Sequence, residues 1–128
     1  MHRRPAIEEA MSMSPVFYYV DLKRIDTFCE ENQIKHINFL KIDTEGHELF
    51  VLQGAEKLIS SQNVDMIQFE YGGCYLDSKT TLKEVYNFLN SKSYTIYRIT
   101  GKGLIKISKW RAGLENFCYS NFLAVKKT

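Results

Sequence analysis

The sequence predicts an α/β fold in which parallel strands alternate with helices and an antiparallel strand closes the sheet. Segments typical of strands and of helices alternate along most of the chain. Towards the C-terminus, strand-like segments follow one another without a helix between them, which indicates an antiparallel addition. The 128 residues, of which 45% are hydrophobic and 25% charged, suffice for one globular domain with a buried core.

Charge and cysteine content narrow the expected partners and compartment. Seventeen basic residues nearly balance fifteen acidic ones, so neither a nucleic acid nor an acidic membrane is favoured as a partner. No apolar run approaches the ~18 residues of a membrane span. Cys29, Cys74 and Cys118 lie far apart among apolar or aromatic residues, which predicts buried free thiols in a cytoplasmic protein. The expected ligand is a small molecule.

The first elements are predicted from residue 16 onwards, after a loosely ordered lead-in over residues 1–15. Residues 16–22 are aromatic and β-branched, which predicts a strand. Ile25, Phe28 and Cys29 have helical spacing and predict a short helix. The next predicted strand covers residues 37–42 and is followed directly by Asp43.

The middle of the chain alternates between helix and strand. Apolar residues recur at helical spacing over residues 48–60, which predicts one helix. Residues 64–70 are predicted as a strand that ends in Glu70, before a glycine pair. Thr81 and Glu84 form a capping-box pattern at the start of the clearest predicted helix.

The C-terminal third is predicted to be mainly strand. Residues 94–99 and 104–107 flank a turn that contains two glycines, and residues 119–125 form a last apolar strand. Asn116 and Asn121 are difficult to explain as core residues, because a buried amide needs hydrogen-bond partners. A binding role is a hypothesis for either amide.

Acidic residues end two predicted neighbouring strands. Ligands of parallel sheets bind beyond the carboxyl ends of the strands, and adjacent strands lie ~4.8 Å apart, so we expect Asp43 and Glu70 to converge. Two carboxylates there would either bind a divalent cation or act as a base and its partner. The residues expected to line the same opening, unless they pack beneath the following helix, are Tyr71, Gly72, Gly73 and Tyr75.

The segment after Asp43 holds further candidates. His47 has the side chain of a general base near neutral pH. Glu48 is better explained by a helix N-terminus, where acidic side chains are stabilised by the helix dipole. His2 and His36 do not combine with His47 in a zinc-ligand spacing.

Four blocks of the sequence resemble FkbM-type methyltransferases. They are residues 25–29, 39–48, 67–72 and 115–124, in that order. The central pattern of lysine, isoleucine, aspartate, threonine, glutamate and glycine at residues 41–46 is specific in its spacing. The resemblance extends over roughly residues 16–127.

The resemblance implies the C-terminal half of a Rossmann-like methyltransferase fold, with S-adenosylmethionine as the methyl donor. The implied reaction is O-methylation of a hydroxyl on a sugar or another natural product. The implied site residues are Asp43, Glu45 and Glu70 for catalysis, Asp43 and Thr44 for the donor, and Glu45, His47 and Tyr71 for the acceptor. Catechol-type O-methyltransferases place metal-binding acids at the same strand ends, so a Mg²⁺ site at Asp43 and Glu70 is an alternative.

The family's donor-binding features are not visible upstream of these blocks. Members carry there a strand, a glycine-rich turn and an acid that holds the ribose, whereas Gly46 is the first glycine of this chain. The expectation is that residues 16–128 are a partial methyltransferase domain, inactive without a complementing N-terminal half. The alternative is a catalytically inactive remnant or interaction module, which pairs through an uncovered sheet edge with a second copy or another chain.

We expect the isolated chain to bind S-adenosylmethionine weakly or not at all, because the glycine-rich turn and the ribose-binding acid are not seen. Calorimetric titration measures this directly. A dissociation constant in the low micromolar range, equivalent to about −8 kcal/mol, would contradict the expectation.

Overall fold

The computed structural model describes residues 17–127. The predicted lead-in over residues 1–15 lies outside the described residues. In chain order the elements are α1 (Ile25–Glu31), β1 (Ile37–Ile42), α2 (Glu48–Gly54), α3 (Glu56–Ser60), β2 (Val64–Tyr71), α4 (Cys74–Ser78), α5 (Leu82–Ser91), β3 (Tyr94–Thr100), β4 (Gly103–Lys106), a 3-10 turn (Ala112–Leu114) and β5 (Ser120–Lys126).

The five strands form one mixed sheet in the order β1-β2-β5-β3-β4. β1 and β2 are parallel, with Ile42 opposite Phe69, and the other three neighbouring pairs are antiparallel. The α/β class and the antiparallel closing strand are therefore confirmed. The expectation of a largely parallel sheet is wrong, because β5 inserts between β2 and β3 and separates them.

The strand predicted over residues 16–22 is not formed in its described part. Residues 17–24 have no regular secondary structure, and Tyr19 and Leu22 are almost fully exposed. Aromatic and β-branched residues favour a strand only where a neighbouring strand supplies hydrogen bonds and packing. Within residues 17–127 this segment pairs with no other strand.

The single helix predicted over residues 48–60 is two helices, α2 and α3, which meet at Ala55. The buried side chain of Asp26 explains the new start. Its carboxylate accepts hydrogen bonds from the backbone N–H groups of Lys57 (3.0 Å) and Leu58 (3.2 Å). This is a helix N-terminal cap supplied from α1, so local spacing did not reveal it. The short α4 was also not predicted.

The remaining predicted elements are present. The capping box forms at α5: Thr81 Oγ1 accepts from the N–H of Glu84 at 3.2 Å, and the Glu84 carboxylate accepts from the N–H of Thr81 at 2.8 Å. β3, β4 and β5 lie within one or two residues of their predicted bounds.

The core lies against one face of the sheet. Five strand residues on that face are each at most 2% exposed: Ile42, Ile67, Phe69, Phe122 and Ala124. Leu52 of α2 and Val85 and Leu89 of α5 pack with them. On the opposite face Phe39 and Met66 are 48% and 36% exposed, so residues 17–127 cover that face only in part.

The three thiols are free, as expected, but they are not all buried. Cys29 is buried in α1, Cys74 is partly buried and Cys118 is exposed in the segment before β5. The expectation of buried thiols is therefore wrong for Cys74 and Cys118, because aromatic neighbours in sequence are not neighbours in the core. In the described part of the chain no helix combines the length and apolar character that crossing a membrane requires.

Asp65 ties the start of β2 to two neighbouring segments. One carboxylate oxygen lies 2.9 Å from His36 Nε2 and accepts from Asn38 Nδ2 at 3.2 Å, and the other lies 2.5 Å from Lys126 Nζ. The hydrogen bonds from Lys126 and His36 lower the pKa of Asp65 to about 2. The ionised carboxylate therefore stabilises the fold above the unfolded pKa of ~3.9, and this contribution is lost as the pH falls towards 2.

We expect Asp65→Asn to reduce the free energy of unfolding most at neutral pH and least near pH 2, so that the two stability curves converge in acid. Chemical denaturation at a series of pH values measures this, with Asp77→Asn on α4 as the matched aspartate control. A difference between wild type and Asp65→Asn that stays constant down to pH 2 would contradict the assignment.

Candidate functional site

A tight turn follows β1 and carries the central candidates. The N–H of His47 lies 3.4 Å from the carbonyl oxygen of Thr44, and the two residues between them, Glu45 and Gly46, have φ angles of 53° and 101°. Positive φ at both central positions is typical of a type I′ turn. For a residue with a side chain this conformation costs about 1–2 kcal/mol, so Glu45 is held in place by its surroundings.

The start of α4 packs against this turn. A Cβ atom on Gly46 would lie 2.4 Å from the carbonyl oxygen of Cys74, so only glycine fits here. Cys74 Sγ donates to the Glu45 carboxylate at 3.1 Å, and Thr80 Oγ1 donates to the carbonyl of Gly46 at 3.3 Å. The loop after β1 is thereby fastened to the segment after β2.

The structure brings Asp43 and Glu70 together at the same end of the sheet, as the sequence predicts. Each lies next to one member of the paired residues Ile42 and Phe69. Asp43 accepts from Lys41 Nζ at 2.7 Å. Lys41 lowers the pKa of Asp43 through this hydrogen bond and its charge, and the carboxyl group of Glu70 is close enough to add to the effect.

Glu70 also belongs to a polar chain on the partly covered face of the sheet. Its Oε1 accepts from the hydroxyl of Tyr119 at 2.6 Å. The Tyr119 hydroxyl in turn accepts from Asn121 Nδ2 at 3.3 Å, and Asn121 Oδ1 accepts from Gln68 Nε2 at 3.3 Å. Asn121 therefore orients a candidate site residue through Tyr119, whereas the side chain of Asn116 bonds to the backbone of Gly113 and Cys118 in its own loop.

A cavity of about 310 Å³ opens between the two loops. Three glutamates and several aromatic rings dominate its lining. The lining residues are Glu45, Gly46, Glu48, Glu70, Tyr71, Gly72, Gly73, Cys74, Tyr75, Phe117 and Tyr119. The expectation that Tyr71, Gly72, Gly73 and Tyr75 line one opening is confirmed.

Tyr71 lines the cavity, and its hydroxyl connects two distant segments of the chain. The hydroxyl donates to Glu115 Oε1 and accepts from the N–H of Phe117, both at 2.8 Å. Burial raises the pKa of Tyr71 to about 12, helped by the nearby Glu115. The Glu115 carboxylate also accepts from the N–H groups of Leu82 and Lys83 at 3.0 Å, which caps α5. The Tyr71 side chain is thus a fixed part of the cavity wall, held by Glu115 and by the backbone of Phe117.

Glu48 is buried beneath the turn. Its Oε1 accepts from the N–H and the hydroxyl of Thr44 at 3.0 and 3.2 Å, which also explains the position of Thr44. The other oxygen, Oε2, is buried and has no hydrogen-bond partner among residues 17–127. The sequence favoured a helix-terminal role for Glu48, and no signal in the sequence alone separates that role from a position in a cavity wall.

His47 lies apart from Glu45 and Tyr71. Its side chain is exposed, and its ring centroid is 5.8 Å from that of Phe50. Together with Thr44 it lines a second cavity of about 660 Å³, whose wall is mainly apolar and includes Leu22 and Val51. The acceptor residues implied by the resemblance are therefore divided between two cavities.

A metal site gains no support from the described residues. Within residues 17–127 no group of three or more histidine, cysteine, aspartate or glutamate side chains could hold a metal ion. The pair of Asp43 and Glu70 supplies two carboxylates, of which one is already paired with Lys41.

Comparison with known proteins assigns the chain to a class and then to a family. A family model for a methyltransferase domain, the methyltransferase FkbM domain, matches residues 7–96. The match covers more than half of the chain, so the protein belongs to the FkbM methyltransferase family, which confirms the resemblance seen in the sequence. Methyltransferases of this kind generally use S-adenosylmethionine. Neither a curated protein nor a solved structure matches the chain.

Proposed function

We propose that the chain takes part in S-adenosylmethionine-dependent O-methylation of a hydroxyl on a sugar or another natural product, and that its fold is the C-terminal half of a Rossmann-like methyltransferase. The main support is the position of the cavity. It lies beyond the ends of β1 and β2, between loops that belong to the family match. Binding at the carboxyl ends of parallel strands is general for open α/β sheets.

The charge around the strand ends fits the proposed donor. Asp43, Glu45 and Glu70 place three carboxylates in this region, and Lys41 pairs with Asp43. A sulfonium is a cation, and carboxylates and aromatic faces stabilise cations. When bound, S-adenosylmethionine supplies the methyl group from its sulfonium. In this proposal Asp43 and Thr44 lie on the donor side.

The residues of this chain would hold the acceptor oxygen in line with the methyl group. The hydroxyl becomes more acidic as its oxygen forms the new bond to carbon, so a carboxylate of ordinary strength can accept the proton. Glu70, oriented by Tyr119, and Glu45, fixed by the turn and Cys74, line the cavity in which that oxygen would sit. Asp43 has a lowered pKa and stays ionised, so its proposed contribution is orientation and charge stabilisation.

The proposal predicts that Asp43→Asn lowers turnover about 10²-fold or more in the complete, active protein while the melting temperature stays nearly unchanged. The physical reason is that Asp43 is exposed and its ion pair with Lys41 lies in solvent. Turnover with labelled donor and a thermal melt are measured on the same sample. Asp21→Asn, which changes an exposed aspartate outside the site, is the control.

A melting temperature that falls together with activity would make Asp43 a structural residue and contradict the proposal. A chelator then distinguishes a metal-binding role of Asp43 and Glu70 from a role without a metal ion. Loss of turnover that Mg²⁺ restores would assign a bound cation to Asp43 and Glu70. Unchanged turnover would leave the carboxylates acting without a metal ion.

A second candidate function is an interaction module, and the exposed edge of the sheet favours it. β1 is the first strand of the sheet, so one of its edges is unpaired within the described residues. Phe39 on β1 is 48% exposed, and five apolar or aromatic side chains between residues 17 and 22 are at least 77% exposed. Unpaired strand edges and apolar patches favour association with a second copy or with a complementing N-terminal half.

We expect the isolated chain to form dimers or larger assemblies at high concentration, because association would pair the β1 edge and cover Phe39. Size-exclusion chromatography with light scattering measures the mass, and Phe39→Lys should shift the chain towards monomer. A monomeric wild type that melts cooperatively at high concentration would contradict this candidate.

A further inference from the structure

Glu48 provides an unsatisfied polar atom in the wall of the cavity. Its side chain is 1% exposed, and Thr44 satisfies only Oε1. Oε2 is buried and has no donor among residues 17–127. A buried carboxylate oxygen without a donor is energetically costly, so a donor brought to this atom would stabilise the site.

The neighbouring hydroxyl of Tyr75 does not fully satisfy the Glu48 carboxylate. It donates to the backbone carbonyl of Glu70 at 2.9 Å, and a hydroxyl has only one proton to give. Burial raises the pKa of Tyr75, and the charge of Glu48 and a hydrogen-bond contact with its carboxylate raise it further. The Glu70 carbonyl and the Glu48 carboxylate therefore compete for one proton, and a donor brought by a ligand would relieve this competition.

The rest of the cavity wall favours an organic cation. Glu45 and Glu70 add two further carboxylates, and no lysine, arginine or histidine is among the residues that line the cavity within residues 17–127. Phe117 and the exposed Tyr119 also line the cavity, and aromatic faces attract cations. The three glutamates do not converge as a group that could hold a metal ion in this part of the chain.

We propose that the cavity binds a protonated amine, which donates a hydrogen bond to Oε2 of Glu48. The inference rests on the proposed function and specifies its substrate class: the acceptor carries an ammonium group as well as the hydroxyl that is methylated, as an amino sugar does. The volume of about 310 Å³ is at the small end of ligand pockets and suits a molecule of monosaccharide size. Glu48 is then a specificity-determining residue.

The test compares glucosamine with glucose, which differ in the amine. Both are titrated into the chain by NMR without a methyl donor, at a pH where the amine is protonated. We expect glucosamine to bind about tenfold more tightly or better, because a buried carboxylate bonds strongly to a charged donor. Glu48→Gln keeps an acceptor for Thr44 and should remove this preference, while the affinity for glucose changes little. Glu56→Gln, at an exposed glutamate that starts α3, is the matched control.

Three outcomes would overturn the inference. Equal affinity of the wild type for the two sugars would overturn it without any variant. This comparison is therefore the deciding test if a thermal melt shows Glu48→Gln to be unfolded. A folded Glu48→Gln protein that retains the preference would make Glu48 a structural residue. Titration with S-adenosylhomocysteine is the third arm: if only its binding depends on Glu48, the amine belongs to the donor and not to the acceptor.

Methyl transfer is assayed separately, so the two proposals can fail independently. Glucosamine selectivity that depends on Glu48, without methyl transfer in the complete protein, would contradict the proposed function and leave the amine site standing. Methyl transfer to neutral acceptors without amine selectivity would contradict the amine site and support the proposed function.

Discussion

The close approach between Gly46 and the carbonyl group of Cys74 is the constraint on which the candidate site depends. A single carbon atom added to Gly46 would lie 2.4 Å from that oxygen, so the loops after β1 and β2 can meet only because residue 46 has no side chain. Next to this contact, Glu45 has a positive φ angle and accepts a hydrogen bond from Cys74 Sγ. Hydrogen bonds from Thr44 tie Glu48 to the same turn. The cavity wall is thus a consequence of backbone packing between two loops.

Carboxylates from distant parts of the chain hold the helices in place. Asp26 of α1 caps α3, and Glu115, just after the 3-10 turn, caps α5; each accepts two backbone N–H groups. Such bonds satisfy the donors that a helix start leaves free. Glu115 also accepts a hydrogen bond from the hydroxyl of Tyr71, which lines the cavity, so one side chain supports both a helix cap and the cavity wall. Fold and site are therefore mechanically linked at this point.

The acidic residues near the strand ends differ in their hydrogen-bond and ion-pair partners, and this difference distinguishes their proposed roles. Asp43 is exposed and paired with Lys41, Glu70 receives the hydroxyl of Tyr119, and Glu48 keeps one buried oxygen without a partner among residues 17–127. An exposed pair contributes little to stability, whereas a buried unsatisfied oxygen is costly unless a ligand compensates it. The proposed chemistry therefore lies with Asp43 and Glu70, and the proposed selectivity with Glu48.

The sequence by itself determined the family, most elements and the meeting of Asp43 with Glu70, because these depend on local periodicity, motif spacing and the geometry of adjacent parallel strands. Only the tertiary structure decided the position of β5 between β2 and β3, the break at Ala55 and the separation of His47 from Glu45. Strand order and helix caps arise from partners far away in the chain, such as Asp26 for α3. The position of Glu48 at a helix terminus can be predicted from the sequence. The lack of a partner for its buried oxygen cannot, because it depends on Tyr75 and the loop after β2, which are distant from Glu48 in sequence.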